Sequence, residues 1–330
     1  MPEATIRDVA RRSQLSVATV SRVLNGLENV SEQARLRVTE AVRDLGYVPH
    51  AGARSLSLAR TNAIGVVLPD LHGEFFSEIV RGMDREASRR GYLLLLSNLH
   101  ARAEQATLAL RAMHGRVDGL IVMAPQLAAE DLSMALPGGV PSVLINTRGQ
   151  GGSHAAIHID NAAGVRQVVD HLAKLGRKRL VHIAGPEGNI DAEERAATFR
   201  EACAVQGVEC EILRGDFEEE SGAEAIRQLF DRGHRFDAVF AANDNMATGA
   251  LLALRSRGLA IPDDVAVAGF DDIPLARHLG LTTVRARIDE LGERALARLV
   301  ACMAKSDGGG DELHRPDLVV RATTDAGARN

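Results

Sequence analysis

The sequence predicts an all-α helix-turn-helix head followed by an α/β core of two Rossmann-like subdomains with parallel sheets. Three observations predict it. Short capped segments of helical period fill the first 48 residues. Apolar runs alternate with amphipathic stretches from Ala63 onward. Charge divides near the same place: nine arginines meet six acids between Met1 and Arg60, a net of +3 within an overall −5. A basic head on an acidic body points to a polyanion as the partner of the head alone.

The 330 residues, 45% of them hydrophobic, suffice for two or three domains with real cores. No apolar run approaches the ~20 residues of a membrane span. The start, "MPEATIRDVA", has no basic stretch leading into an apolar one, so a cytoplasmic protein with no membrane partner is expected. Cys203, Cys210 and Cys302 are few, odd in number and not spaced as metal ligands. They suit a reducing compartment, and no metal is expected.

In "TIRDVARRSQLS", Ile6, Val9 and Ala10 recur at helical spacing, and Thr5 with Asp8 has the form of a capping box. Gln14, Leu15 and Ser16 make a tight turn. Ser16 caps the next helix, "SVATVSRVLNG", whose Val20, Val23 and Leu24 face inward. A third helix follows Ser31, with Ala34, Val38, Ala41, Val42 and Leu45 inward and Gly46 as its left-handed stop. A three-residue turn between the first two helices defines a helix-turn-helix unit. The outward stripe of the second helix holds Val17, Ala18, Ser21, Arg22 and Asn25. Small residues let a helix lie deep in a major groove, where Val17 can touch a thymine methyl and Arg22 can pair with guanine O6 and N7. Ser21 and Thr19 are placed for phosphates. A plain surface helix of a three-helix bundle is the competing reading.

Residues 49–61 form a hinge. Pro49 ends the preceding structure. Residues 50–60, with Arg54, Leu56 and Leu58, are too short for a stable isolated helix. They are either a flexible linker or a segment that folds on DNA and inserts a leucine into the minor groove.

The core begins near residue 62. "AIGVVL", "YLLLLS", "GLIVM" and "SVLIN" precede "IHIDNAAG"; "RLVHIAG", "CEILRG", "AVFAAN" and "VAVAGF" follow it. Gly91, Gly176, Gly207, Gly233 and Gly258 end helices between them. About four buried parallel strands are thus expected on each side, in two lobes facing a cleft. The crossovers between lobes are expected near 160, 288 and 320. Ligands in such sheets sit beyond the carboxyl ends of the strands. The polar residues there are Asp70, Asp160, Asn243, Asp244, Asp271 and Asp272, with Arg195 on a following helix and Phe217 after "RGD". Carboxylates, an amide, an arginine and a ring suit a hydroxyl-rich ligand. Asp244 and Asp272 are read as helix caps; Asp271, Asn243 and Arg195 are read as ligand groups. His72, His154 and His158 could also line a cleft. No G-x-S-x-G, H-E-x-x-H or phosphate loop is present, so neither an enzyme nor a cofactor is expected.

These segments together resemble the lactose/galactose-repressor family of bacterial transcription regulators over nearly the whole chain. The head motif runs "TIRDVARRSQLSVATVSRVLNG" to "LGYVP". The core motifs include "HIAGP", "ANDNMATGAL" and "VAVAGFDDIPLARHLGLTTVR". The resemblance implies a core like that of periplasmic sugar-binding proteins. It implies base reading by Val17, Ala18 and Arg22 and a hinge wedge at Leu56. Thr5, Ser16, Thr19, Ser21, Asn25, Tyr47, His50 and Arg54 complete the DNA-facing set. It implies effector contacts from Asp160, Arg195, Asn243 and Asp271, a stacking ring at Phe217, and a wall containing Asp70, Phe75 and Phe76. The sequence departs from the family pattern at Gln14 and Thr198, where Gly is usual, at His50, and at "LHGEFF" (Leu71 to Phe76). The expected function is allosteric repression by a homodimer on an inverted-repeat operator in double-stranded DNA. The expected effector is a small ligand, a sugar before a purine. A stand-alone sugar-binding protein leaves the first sixty residues without a role.

Overall fold

The computed structural model describes residues 4–26, 29–48, 60–99, 103–147, 154–305 and 309–327. His50, Arg54 and Leu56 lie outside the described residues. The head and the core are two compact units and are treated separately.

The head contains α1 (Ile6–Ser13), α2 (Val17–Leu24) and α3 (Glu32–Leu45). Val9, Ala10, Val20, Val38, Ala41 and Tyr47 are buried together, with Ile6, Leu15, Val23, Leu24 and Val42 packed around them. Leu45, expected inward, is exposed. The helix ends follow local chemistry. The Asp8 carboxylate accepts from the Thr5 amide at 3.0 Å and the Thr5 hydroxyl at 2.6 Å. Ser16 Oγ accepts from the Thr19 amide at 3.1 Å, and Ser31 Oγ from the Ala34 amide at 3.3 Å.

Gln14 ends α1 in the left-handed region, at φ 55°. That geometry costs a non-glycine residue ~1–2 kcal/mol, against ~0.5–1 kcal/mol of extra chain entropy for Gly. The side chain offers one exposed compensation, accepting from Arg37 at 3.3 Å. Gln14→Gly is therefore expected to stabilise the head by ~0.5–1 kcal/mol, read as a higher urea midpoint. An unchanged or lower midpoint counts against strain at Gln14.

The core has two six-stranded sheets. The first contains β1 (Ala63–Leu68), β2 (Leu93–Asn98), β3 (Gly119–Val122), β4 (Ser142–Ile145), β5 (Ala155–Ile159) and β11 (Asp311–His314), in the order β11-β5-β4-β3-β1-β2. The second contains β6 (Arg179–Ala184), β7 (Glu209–Arg214), β8 (Ala238–Ala241), β9 (Ala266–Asp271), β10 (Thr282–Arg285) and β12 (Asp317–Val319), in the order β12-β10-β9-β8-β6-β7. The second sheet's other pairings are parallel, and β12 runs antiparallel on β10. Each sheet thus has two strands more than the four expected. β5 and β10 lie beside the preceding strands β4 and β9, whereas β11 and β12 gain their place by pairing with strands far back in the chain, β5 and β10.

Helices α4 (Glu74–Arg90), α5 (Ala103–Met113) and α6 (Ala129–Ala135) belong to the first lobe. Helices α7 (Asn161–Lys174), α8 (Ile190–Gln206), α9 (Glu219–Asp231), α10 (Asp244–Ser256) and α11 (Pro274–Leu279) belong to the second. The chain crosses to the second lobe at Asp160. It returns before α12 (Ile288–Met303), which packs on α4, β3 and β4, and crosses again between His314 and Asp317, somewhat before residue 320.

Both sheets repeat one strand order, with the second strand in sequence outside the first and the third on its other side. In such a doubly wound sheet the crevice opens where the order reverses, between β1 and β3 and between β6 and β8. Topology thus predicts a site flanked by the segments after those four strands. One expectation changes here. "YLLLLS" reads as a buried strand, yet β2 is an edge strand on which Leu93, Leu95 and Leu96 are 72%, 39% and 44% exposed.

Candidate functional site

Two surfaces carry the chemistry. On the head, the outward stripe of α2 is as the spacing predicts: Val17 is 43% exposed, and Ala18 and Arg22 are exposed. Ser21 and Asn25 are half-buried and joined by a 3.4 Å bond from Asn25 Nδ2 to Ser21 Oγ. Arg11 pairs with Asp8 and Arg12 with Asp44, whereas no ion pair is made by Arg22 among the described residues. The hydroxyls of Thr5, Ser16 and Thr19 all serve the helix starts. They sit beside amides at the positive ends of α1 and α2, where an anion is favoured. Tyr47 is different. Its ring is buried in the head core, so it supports α3 from inside and presents little surface.

In the core, a cavity of about 420 Å³ lies where the two switch points meet. The first lobe lines it with Asp70, His72, Phe75 and Phe76, and with Gln126 and Asn146 after β3 and β4. The second lobe supplies Asn189, Asp191, Arg195, Phe217, Asn243 and Asp271.

Each side chain is positioned by its neighbours. Asp70 accepts from the amides of Leu71 and His72 at 2.6 and 3.1 Å and from Asn98 at 3.2 Å, which shapes the "LHGEFF" loop. Phe75 and Phe76 meet edge to face, their centroids 5.2 Å apart. Phe217 takes a positive φ of 76° and lies on Gly185, where any Cβ would come within 2.4 Å of its ring. Asn243 is the true cap of α10: its Oδ1 accepts from the Met246 amide at 3.0 Å, while its Nδ2 donates to the Phe217 carbonyl at 2.9 Å. Arg195 is 4% exposed. Its Nε donates to Asn161 Oδ1 at 2.8 Å, Nη1 donates to the Ala242 carbonyl, and the guanidinium lies 3.7 Å from the Phe270 ring centroid.

Asp271 is 6% exposed. Its Oδ1 is buried with no hydrogen-bond partner; the nearest cation is Arg195 Nη1 at 3.9 Å. Burial pushes this carboxyl up to about 7, against the opposing pull of Arg195 and with help from Asp191. Burial likewise raises Asp191, whose Oδ1 accepts from Asn161 Nδ2 at 2.7 Å. A buried acceptor without a donor costs ~1–3 kcal/mol, and a ligand hydroxyl or N–H removes that cost. Among the described residues, two hydrogen bonds cross between the lobes beside the cavity. The Ile190 amide donates to the Pro125 carbonyl at 3.2 Å, and the Leu275 amide to Glu74 Oε2 at 2.9 Å.

The cavity corrects three expectations. Asp160 is not on its wall; it caps α7, accepting from the Ala163 amide at 2.9 Å. A carboxylate one residue before a helix bonds that helix first, and the next residue, Asn161, orients Arg195 and Asp191. Asp244 is not a cap. It is buried and accepts from the Thr283 hydroxyl at 2.5 Å and the Ile273 amide at 2.9 Å. Asp272 instead holds Arg285 and Arg321, each at 2.6 Å. Of the histidines, His72 reaches the cavity, whereas His154 bonds Ser142 and His158 lies on β5. Sequence reasoning missed Gln126, Asn146, Asn189 and Asp191. Their signal was positional: each follows a strand at or next to a switch point.

A helix-turn-helix head joined to a two-lobed ligand cleft is the plan of a ligand-controlled transcription regulator. Residues 5–50 match the family described as bacterial regulatory proteins, lacI family, and residues 169–324 match a periplasmic binding protein-like domain. The ribose operon repressor of Halalkalibacterium halodurans is 35% identical, covering 98% of this chain and 98% of that protein. The HTH-type transcriptional repressor CytR of Escherichia coli K12 is 33% identical, over 98% and 97%. The lac repressor dimer bound to operator and the anti-inducer ONPF matches with a TM-score of 0.90 at 29% identity, over 98% of this chain and 99% of that one. The chain belongs to the lacI family of bacterial transcriptional repressors, which carry a ligand-binding domain and are not enzymes. Among the described residues no helix is long and apolar enough to cross a membrane.

Proposed function

We propose that this protein represses transcription in the cytoplasm as a homodimer on an inverted-repeat operator, and that a sugar in the core cleft changes its operator affinity. The observation that carries the effector reading is Asp271. An unpartnered buried carboxylate oxygen, beside Arg195 and Asn243 and across from Asp70 and Asn146, suits a ligand with several hydroxyls. Walls from both lobes suit a switch, because ligand shifts an equilibrium only by binding its two states unequally. Opening the cleft breaks the Ile190–Pro125 and Leu275–Glu74 bonds, which gives the two states different contacts. The exposed leucines of β2 support a dimer, since an apolar edge strand is normally covered. The relative named as a ribose operon repressor supports a sugar. Phe75, Phe76 and Phe217 also offer rings to a base, which keeps a nucleoside or purine as the second reading.

On DNA, Val17, Ala18 and Arg22 read bases; Thr5, Ser16, Thr19, Ser21 and Asn25 contact the backbone; His50, Arg54 and the wedge Leu56 act at the hinge. Arg22→Ala is expected to cost ~1–3 kcal/mol at one symmetric pair of operator positions and to relax specificity there. Selection from random DNA checks this; an unchanged consensus would move Arg22 to a phosphate role. Calorimetry of the full chain against sugars, nucleosides and purines tests the effector. A sugar that binds and shifts operator affinity ~5- to 150-fold is the expected result. A purine that does so instead overturns the sugar assignment.

A further inference from the structure

We propose that the cleft takes its ligand in an unphosphorylated form, uncharged or cationic, and that Glu187 and Glu218 at its rim help reject phosphorylated counterparts. This rests on reading the cleft as the effector site.

The charge of the cleft carries the inference. Among the described residues six carboxylates line it, Asp70, Glu187, Asp191, Asp216, Glu218 and Asp271, against a single arginine and no lysine. That arginine is largely committed to the protein, with Nη2 alone left over. Arg195 spends Nε on Asn161 and Nη1 on the Ala242 carbonyl, and its flat face on Phe270. A phosphate normally needs a free guanidinium fork, an ammonium, or open helix-start amides.

Helix starts are the strongest counter-argument, because α4, α8 and α10 all begin at the cleft. Each contributes about half a positive charge at most, so the three together offset fewer than two carboxylates. Their first turns already carry acids: Glu74, Asp191 and Asp244. Several of their amides are also taken. Ala192 donates to Asn189, Met246 to Asn243, and Ile190 to Pro125. Asp191 raises the proton affinity of Asp271, so one lining carboxylate already feels another. A phosphate would enter the same field with up to two further negative charges. Like charges in a partly desolvated cleft interact far more strongly than in water.

Calorimetry with matched pairs tests this on the full chain: D-ribose and ribose 5-phosphate, D-galactose and galactose 1-phosphate, adenosine and AMP. In any pair that binds, the phosphorylated member is expected to be at least tenfold weaker, about 1.4 kcal/mol. The double variant Glu187→Gln, Glu218→Gln should narrow that ratio about threefold or more at low salt, with a smaller effect in 0.5 M NaCl, because these groups are exposed. A phosphorylated member that binds as tightly as its partner, or tighter, overturns the proposal. Should no pair bind, the sugar and nucleoside readings fail, and inorganic phosphate still decides the charge question. With the head saturated by duplex DNA, its 31P resonance should stay sharp as protein is added; broadening overturns the proposal.

Discussion

Asp271→Asn is expected to abolish the response to effector while leaving operator binding intact. Its carboxylate oxygen makes no hydrogen bond within the protein, so the substitution breaks none. It keeps the shape, and asparagine tolerates the positive φ of 112° better than most residues. The ligand loses a charge-assisted bond worth ~1.5–3 kcal/mol, or roughly 10- to 150-fold in affinity. The sign of the pH effect follows from the raised carboxyl. Between its ordinary value and about 7, the folded chain holds a proton that the unfolded chain has released. Asp271 therefore lowers stability progressively as pH rises through that window. The variant should melt no lower than wild type at pH 8 and about equally near pH 4. Ligand affinity should run the opposite way. A hydroxyl donating to ionised Asp271 binds up to about tenfold better at pH 8 than at pH 6, and the variant loses that dependence. Arg195→Ala is the less clean test, because it strips partners from Asn161 and the Ala242 carbonyl. If Asp271→Asn melted far below wild type at pH 8 and lost operator binding, Asp271 would belong to the scaffold.

Gly249→Ala is expected to have the largest effect on stability. Gly249 lies within α10 where that helix crosses α9, and a Cβ there would stand 1.9 Å from the Glu219 carbonyl oxygen. Gly222 on α9 is the reciprocal contact, its Cβ position 2.0 Å from the Met246 carbonyl oxygen. Neither obstacle is a side chain that can swing away. The helices must separate, which opens packing around Ala225, Ile226, Leu229, Ala250 and Leu251. Helix propensity favours alanine by ~1 kcal/mol. Overpacking against backbone costs ~3 kcal/mol or more and wins. A fall in Tm of about 5 °C or more is the expected reading. An unchanged Tm would mean that α9 and α10 part at little cost.

What was legible in the sequence depends on the range of the interaction. Helix starts at Thr5, Ser16 and Ser31, the stop at Gly46, the outward stripe of α2 and the strand runs of the core rest on bonds within a few residues. They could be read from spacing alone. The candidates Asn243 and Asp271 were also legible, because chain position places them at strand ends, and Arg195 because it lies on the helix that follows one.

The rest was decided by tertiary structure, where distant groups compete for one partner. A carboxylate at a strand end can cap the next helix, bind another segment or face a ligand. Asp160, Asp244 and Asp271 look alike in sequence, yet the first caps a helix, the second binds another segment and the third lines the cavity with an oxygen that has no partner. The edge position of β2, the pairing of β5, β10, β11 and β12, and the glycine crossing of α9 and α10 likewise follow from which segments meet. The local elements could be read from the chain because periodicity and capping are local energies, and the class of protein from the family resemblance of its motifs. Which polar groups lack a partner emerged only in the packed fold, because a missing hydrogen bond is a property of everything around the group.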